Sequence, residues 1–308
     1  MVGQHRVWLK NIRLNQVNMK KKGIIILLMG LLPLGLIAQE LSGGFKVGLN
    51  FSRFEGPSAE GPQGDALETN DFATNFHVGA LLNYSVTDVF GFRAEILYSQ
   101  KGSQYIYDGP SYLRLYTRQG NPVVSFGNRR EVITFANSYL DIPLMAYVRL
   151  GRIEASAGVN AALLLGSRGQ GEITFSGVSA GGQNVDPVIL TVDGNYTADE
   201  ASTTGIGQID TRTIDNQEVL VPEIVNAYYD GNPVDEILFN RLDFGLNAGL
   251  SVYVNNGLNL GFRLNYGLAD VTNQQQDVNL QALDGNELIL NDEQDQNISL
   301  QASIGFSF

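Results

Sequence analysis

The carboxy-terminal segment NISLQASIGFSF, residues 297–308, alternates between polar and apolar side chains at every position. This period of two predicts a β-strand with one polar and one apolar face. A strand of this kind that ends on Phe is typical of the closing strand of a transmembrane β-barrel, which faces lipid on one side and a polar interior on the other. Ile304, Phe306 and Phe308 are predicted to form the signal that outer-membrane insertion machinery reads.

Seven further segments show the same alternation and predict seven more strands. They are residues 45–52, 75–84, 90–101, 139–149, 153–163, 242–254 and 258–266. A tilted strand needs about 9–11 residues to cross a bilayer, and the segments are close to that length. The pattern therefore predicts an all-β protein, an eight-stranded antiparallel up-and-down transmembrane β-barrel with long extracellular loops.

The connections between these segments alternate in length. Three are short, at residues 85–89, 151–152 and 255–257, and four are long, at about 53–74, 102–138, 164–241 and 267–296. Outer-membrane barrels have short periplasmic turns and long extracellular loops. The order predicts periplasmic amino and carboxy termini and four outer loops. Within the third loop, residues 173–178, 188–192 and 218–225 are predicted to extend the barrel as short strands.

The amino-terminal region has the features of a secretory signal peptide. Three lysines at 20–22 precede an apolar run at 23–38, and Ala38 offers a small residue for cleavage. We expect residues 1–38 to be the signal region, Met19 to be the start, and residues 39–308 to be the barrel. The chain has no Cys, which excludes disulfides, thiolate metal sites and a lipid-anchored lipoprotein.

The predicted mature chain is strongly acidic. Cleavage after residue 38 leaves 14 Lys and Arg against 32 Asp and Glu, a formal charge of −18. Such a surface repels nucleic acid, which excludes that class of partner. The expected partners are outer-membrane lipid and lipopolysaccharide, the barrel-assembly machinery, and secretion-system or other envelope proteins.

Charged residues fall on the polar face of the predicted strands, four of each sign. They are Lys46, Arg93, Glu95, Lys101, Asp141, Glu154, Asp243 and Arg263. An eight-stranded barrel is just wide enough for side chains to fill. The pattern predicts a salt-bridge network that fills the interior, with Arg263 and Asp243 as one expected pair on neighbouring strands. The alternative is a proton or substrate path through the same groups.

Two motifs carry a family resemblance. GFRAEILYSQKG at 91–102 and YLDIPL at 139–144 resemble signatures of the PorT-like outer-membrane β-barrel family, and residues 243–249 and 262–271 resemble its later strands. The resemblance implies a small outer-membrane barrel of a Gram-negative cell. The family's namesake takes part in type IX protein secretion, so the resemblance also implies an accessory role in secretion.

The fourth loop, residues 267–296, carries seven Asp and Glu and no Lys or Arg. Acidic loops can bind Ca²⁺, but no segment has EF-hand spacing. The loop is therefore predicted to be a solvated negative surface, and no metal or cofactor is expected.

Catalytic candidates reduce to His77, the one His of the predicted mature chain. It is predicted to lie near the outer rim, where lipid-modifying barrel enzymes hold a catalytic His. The favoured interpretation is a non-enzymatic barrel that acts through its outer loops. The alternatives are a lipid-modifying enzyme that uses His77, and a secreted soluble β-barrel that binds an apolar ligand with its apolar faces turned inward.

Overall fold

The computed structural model describes residues 41–229, 237–255 and 257–308. Within these ranges the chain forms 14 β-strands. No helix in this part of the chain is both long and apolar enough to cross a membrane. The predicted signal peptide at 1–38 and the predicted start at Met19 lie outside the described residues.

The strands are numbered in chain order. They are β1 (Leu41–Glu55), β2 (Glu68–Ser85), β3 (Phe90–Lys101), β4 (Ser103–Thr117), β5 (Pro122–Leu150), β6 (Ile153–Ser179), β7 (Asn184–Asn195), β8 (Ile206–Ile214), β9 (Gln217–Val225), β10 (Leu242–Tyr253), β11 (Leu258–Gly267), β12 (Val278–Asp284), β13 (Glu287–Leu290) and β14 (Gln296–Ser307).

Twelve strands form one sheet, and β12 pairs with β13 separately. β1 lies between β14 and β2, and β2 pairs onward with β3. β3 pairs with β5, β5 with β6, and β6 with β10. β10 pairs with β11, and β11 pairs with β14. All of these pairings are antiparallel, as the alternation predicts.

The period-two pattern predicts eight strands, whereas 14 are present in the described residues. The additional strands come from segments that the pattern assigns to loops. Residues 102–138 form β4 and the first part of β5, and residues 164–241 hold the end of β6 together with β7, β8 and β9. The three short segments predicted within the third loop fall in β6, β7 and β9. β5 and β6 are 29 and 27 residues long, longer than a membrane crossing requires.

One part of the sheet exposes apolar side chains and buries polar ones. We call it the stem; it comprises β1, β3, β10, β11, β14 and the adjoining halves of β2, β5 and β6. Phe45, Phe262 and Ile304 are 61%, 59% and 53% exposed, whereas Lys46 and Arg263 are buried. The alternative of a soluble barrel with inward apolar faces is therefore wrong, because the apolar faces point outward.

Beyond the stem the interior changes from polar to apolar. We call this second part the cap; it comprises β4, β7, β8, β9, the β12–β13 hairpin, and residues 122–136 of β5 and 167–179 of β6. Its inward side chains, such as Ile133, Phe175 and Leu190, form an apolar core. The short turns of the stem, including Gly151 with its positive φ of 62°, lie at the end opposite the cap. The cap therefore has a hydrophobic core of its own on top of a polar stem.

Candidate functional site

Ion pairs cross the interior of the stem, and all eight charged residues predicted to face inward are buried there. Glu95 is the centre of one group. Its two carboxylate oxygens accept hydrogen bonds from the two terminal nitrogens of Arg263 at 2.6 and 2.9 Å. Lys46 Nζ lies 3.2 Å from the same carboxylate. A two-pronged arginine pair of this kind fixes geometry as well as neutralising charge.

Glu154 is the centre of a second group, near the short turns. Arg93 Nη1 lies 2.8 Å from one of its oxygens, and Arg149 Nη2 lies 2.6 Å from the other. The Tyr253 hydroxyl also donates to Glu154, at 3.0 Å, and in turn accepts from Arg149. Arg93 further donates to the side-chain oxygen of Asn83 at 2.6 Å. One buried carboxylate thus holds three donors from three strands.

Lys101 is the centre of a third group, closer to the cap. Its Nζ lies 3.1 Å from Asp141 and 3.7 Å from Asp243. The predicted Arg263–Asp243 pair is wrong. In the β10–β11 register Arg263 faces Gly249, so Asp243 lies six residues further along its strand. At about 3.4 Å per residue the two side chains are too far apart to meet.

The residue that the charge pattern missed is Arg149. It lies on the same strand face as Asp141, and the two-residue turn at 151–152 pairs it directly with Glu154. That register could have been read from the turn length. Uncharged amides complete the interior. Asn160 accepts from Asn265 at 2.7 Å and from Asn247 at 3.2 Å. Asparagine gives no charge signal in a sequence, so these contacts were not predictable.

His77 is fully buried in the stem and does not lie at the rim. β2 begins well before it, at Glu68, because the strand continues into the cap. In the sheet it faces Gly48 on one side and Ser99 on the other. Its Nδ1 donates to the Asn50 side-chain oxygen at 2.7 Å. The rim placement predicted for a catalytic His is therefore wrong.

Three phenylalanines cover the interior where the stem meets the cap. We call Phe54, Phe135 and Phe239 the aromatic layer. Phe239 packs at ring-centroid distances of 5.6 Å from Phe54 and 5.3 Å from Phe135. All three rings are buried. Aromatic side chains at these distances attract one another beyond their burial. The layer separates the ion pairs below it from the cap above it.

Two adjoining cavities lie above the aromatic layer, with volumes of about 200 Å³ and about 140 Å³. They share a set of lining residues. These are Glu131, Ile133, Tyr196, Ala227, Leu238, Gln276, Val278 and Leu280. Together they are in the range of small-molecule sites, which are mostly apolar with a few placed polar groups. Exposed Pro57 also lines the larger cavity, so this cavity reaches the surface.

The larger cavity is lined by carboxylates. Its five acidic residues are Glu68, Glu131, Asp277, Glu293 and Asp295, and no Lys or Arg from the described part of the chain lines it. Glu131 is neutralised by Arg129 at 2.6 Å. The fourth-loop acids are predicted to be solvated, but Asp277, Glu293 and Asp295 are half-buried against the cavity, and Asp270 is half-buried as well. That prediction is wrong for these four residues, because the β12–β13 region folds back over the cap interior.

Burial shifts the pKa values of these acids, which lie beyond the stem, in the part of the chain that forms the cap. Burial, followed by repulsion from Asp295, raises the pKa of Glu68 to about 7. Burial and repulsion from Asp277 raise the pKa of Asp295 to about 6. Burial also raises the pKa of Asp277. Ionisation of these acids in the folded cap therefore has a free-energy cost that a bound cation would offset.

Two tyrosines complete the polar lining of the larger cavity. Tyr196 is 5% exposed, and its ring packs against Phe135 and Phe239. Tyr105 lines the same cavity from β4. Neither hydroxyl has a hydrogen-bond partner among the residues that the structure describes. Both residues line the cavity, so their hydroxyls are open to a ligand.

Within residues 41–229, 237–255 and 257–308, no group of three or more His, Cys, Asp or Glu side chains is arranged to hold a metal ion.

The three residues of the predicted insertion signal, Ile304, Phe306 and Phe308, all point outward at the stem surface. The Phe308 ring packs at a centroid distance of 5.7 Å from the Phe45 ring.

Strands that expose apolar side chains on one face and enclose ion pairs on the other define an outer-membrane β-barrel protein. Comparison with known families agrees with this class. The chain belongs to the outer membrane protein beta-barrel domain family, whose model matches residues 37–273. An outer-membrane location follows from this membership. A comparison with curated proteins finds no match.

Three solved structures show a distant likeness to this chain. The attachment invasion locus protein Ail of Yersinia pestis is 9% identical with a TM-score of 0.34, covering 87% of this chain and 99% of Ail. Neisserial surface protein A is 10% identical with a TM-score of 0.30, covering 86% and 97%. OprG from Pseudomonas aeruginosa is 11% identical with a TM-score of 0.29, covering 87% and 94%. Likenesses of this size carry no argument about function.

Proposed function

We propose that this protein is a non-enzymatic, non-conducting outer-membrane anchor that carries a binding cap on the cell surface. β1, β2, β3, β5, β6, β10, β11 and β14 close into an eight-stranded barrel. The support is the pairing, which leads from β1 through each of these strands and returns from β14 to β1. Lipid and lipopolysaccharide surround the apolar outer face, and the barrel-assembly machinery inserts the chain.

The observation that carries the function is the change of interior from charged to apolar at the aromatic layer. Below the layer, ion pairs fill the space that a channel would need. Above it, the cap has its own core and a cavity. A barrel that needed only to sit in the membrane would gain nothing from a separate core above it. Binding in the cap accounts for both parts.

The orientation rests on the connections. The β2–β3, β5–β6 and β10–β11 turns lie at the end of the stem opposite the cap. Outer-membrane barrels keep their short turns in the periplasm. We therefore place the cap outside the cell and both termini in the periplasm.

The absence of catalysis is part of the proposal. Its support is the burial of His77 in the stem, hydrogen-bonded to an amide and away from any surface that a substrate could reach. A general base must come within hydrogen-bond reach of the proton it removes. A His77→Ala variant is expected to keep every binding property of the cap.

A second candidate, an accessory role in protein secretion, is favoured by the resemblance of 91–102 and 139–144 to PorT-like barrels. Arg93, Glu95, Lys101 and Asp141 of these motifs all take part in the interior ion pairs. The motifs are thus accounted for by barrel structure alone. A deletion strain that still exports its secreted proteins at wild-type levels would remove this candidate.

The test of the anchor-and-cap function uses the full chain with an epitope inserted at the β8–β9 turn, after Asn216. Antibody binding to intact cells is expected, together with a faster-migrating unheated band on gels, the mark of a closed barrel. Purified protein in planar bilayers is expected to give no conductance steps. Steady channel currents, or an epitope reached only after the cells are broken, would contradict the proposal.

A further inference from the structure

We propose that the larger cavity of the cap binds a small organic cation with an aromatic or apolar body, such as a primary amine. This inference rests on the proposed binding function of the cap and deepens it by naming the ligand class. Three features of the cavity support it: its shape and lining, the balance of its charges, and its unpartnered tyrosines.

The lining provides a place for the apolar body. Phe54, Phe135 and Phe239 form the floor, and Ile133 and Leu238 form part of the wall. Burial of an apolar group is worth about 25 cal/mol per Å² removed from water. The electron-rich faces of aromatic rings also attract cations. An aromatic floor beside carboxylates is therefore suited to a ligand that is apolar at one end and positive at the other.

The charge balance selects the sign of the ligand. Glu68 comes from β2, Asp277 from the segment before β12, and Asp295 from the segment before β14. Their described hydrogen bonds come from uncharged groups, such as the Thr272 hydroxyl that donates to Asp295 at 3.1 Å. Glu131 is the one lining acid that has a described cationic partner, Arg129. The unpaired charges cost free energy that a bound ammonium would recover.

The tyrosines supply the observation that is independent of the acids. The Tyr196 hydroxyl is on a side chain more than nine-tenths buried, it lines both cavities, and no described residue pairs with it. A phenolic hydroxyl can accept from an ammonium or donate to a ligand oxygen. Its ring is held in place by Phe135 and Phe239, so the hydroxyl is presented in a fixed position.

A bare metal ion fits less well. No described group of three or more carboxylates or histidines has ligand geometry. The cavity is also larger than a bare ion requires, and most of its lining residues are uncharged. An anionic or neutral apolar ligand would not use the charge. The titratable groups that line the larger cavity are Glu68, Tyr105, Glu131, Tyr196, Asp277, Glu293 and Asp295. The adjoining cavity adds Arg114 and Arg129, together with Tyr112, Tyr228 and Tyr229.

The experiment is a binding titration of the full chain in nanodiscs, with empty nanodiscs subtracted to remove partitioning into lipid. The probes are phenethylamine, phenethyl alcohol and phenylacetate, which share a ring and differ in charge. At pH 8 we expect saturable binding of phenethylamine only. Equal binding of the three probes, or binding of none, would overturn the proposal. The proposed membrane anchor and surface-exposed cap would not be affected, because the epitope, gel-shift and conductance experiments test them separately.

Two sets of variants distinguish an effect of the cavity acids on binding from an effect of the overall negative charge of the cap. The triple change Glu68→Gln, Asp277→Asn, Asp295→Asn is expected to weaken phenethylamine binding by about tenfold or more. The matched control is Asp284→Asn, Glu287→Gln, Asp292→Asn, which removes the same charge from exposed positions of the same region that do not line the cavity. Equal losses in both triples would show a surface effect and contradict the proposal.

Two single changes test the shape and the hydroxyl. Ala227→Phe places a ring in the space shared by the two cavities and is expected to abolish binding with every acid intact. Tyr196→Phe removes one oxygen atom and keeps the aromatic packing, and a severalfold loss of affinity is expected. Wild-type affinity in both variants, with the cap folded by circular dichroism, would place the ligand elsewhere and overturn the assignment.

Discussion

Arg263 and Glu95 lie 168 residues apart in the chain and form a two-pronged ion pair across the interior of the stem. Their strands, β11 and β3, are not neighbours in the sheet. The pair therefore ties opposite walls together, and Lys46 joins it from β1.

Breaking this pair is expected to be costly. Arg263→Met leaves Glu95 buried with Lys46 as its remaining close cation, and removing one partner of a buried pair costs about 3–5 kcal/mol. The free energy of unfolding in urea, from detergent-refolded protein, measures the loss. Arg118→Met, at an exposed pair with Glu218, is the control and is expected to change stability by less than about 1 kcal/mol. Equal effects in the two variants would contradict the role given to the interior network.

The aromatic layer is expected to stabilise the cap more than the stem. Phe135→Ala removes the ring that contacts Phe54, Phe239 and Tyr196, and deleting a buried Phe costs about 3–5 kcal/mol. Hydrogen exchange should accelerate in β4 and β7 and stay slow in β11. The control is Phe262→Ala, at a ring that is 59% exposed on the outer face of the stem. Unchanged exchange in the cap of Phe135→Ala would show that the layer does not support it.

The free-energy cost of an outward-facing charged side chain is expected to depend on whether the residue lies in the stem or in the cap. Phe262→Arg puts a cation on the lipid face of the stem, where Arg costs about 2–4 kcal/mol near the midplane. Ile189→Arg puts the same cation on the cap exterior, at a residue that is 57% exposed, and should cost close to nothing. Urea unfolding of both variants tests the assignment of stem and cap. A large penalty at Ile189 would mean that lipid reaches the cap.

The stability of the cap is expected to fall as the pH rises. The pKa of Glu68 is raised from 4.5 to about 7 and that of Asp295 from 3.8 to about 6. The folded cap therefore holds protons that the unfolded chain releases, so the stabilisation is complete below about pH 4 and lost as the pH passes 7. Hydrogen exchange of the β12–β13 hairpin at pH 5 and pH 8, corrected for the intrinsic rate, measures it. Glu68→Gln should flatten the dependence; an unaltered slope in that variant would refute the assignment.

The strands of the stem could be predicted from the sequence because neighbouring side chains of a strand point to opposite faces. Lys46 is buried in the interior, and Val47 is exposed on the outer face towards lipid. The inward direction of the eight charged side chains was also predictable, because a charged side chain on the lipid face costs free energy. The partners do not follow, because the contact between Arg263 and Glu95 depends on barrel tilt and stagger. Only the Arg149–Glu154 pair, set by a two-residue turn, was within reach of sequence reasoning.

The apolar core of the cap was not predicted, for a different reason. On β5 the inward positions change from Asp141 and Asn137 to Phe135 and Ile133 with no change of period. An apolar outward face in lipid and an apolar inward face in the cap give similar alternation. Whether the odd-numbered or the even-numbered residues of a strand are buried depends only on what surrounds the strand. The cavity acids, from three separate segments, come together only in the folded chain.

The length of β5 and β6 has a mechanical consequence. Their antiparallel ladder runs from the turn at Gly151 to Ser125 and Ser179 in the cap, with one irregularity at Ser138 and Tyr139. A force that pulls the cap away from the stem draws both strands in the same direction. It is therefore passed to the stem through the hydrogen bonds of β5 to β3 and of β6 to β10, which are loaded in shear and share the load.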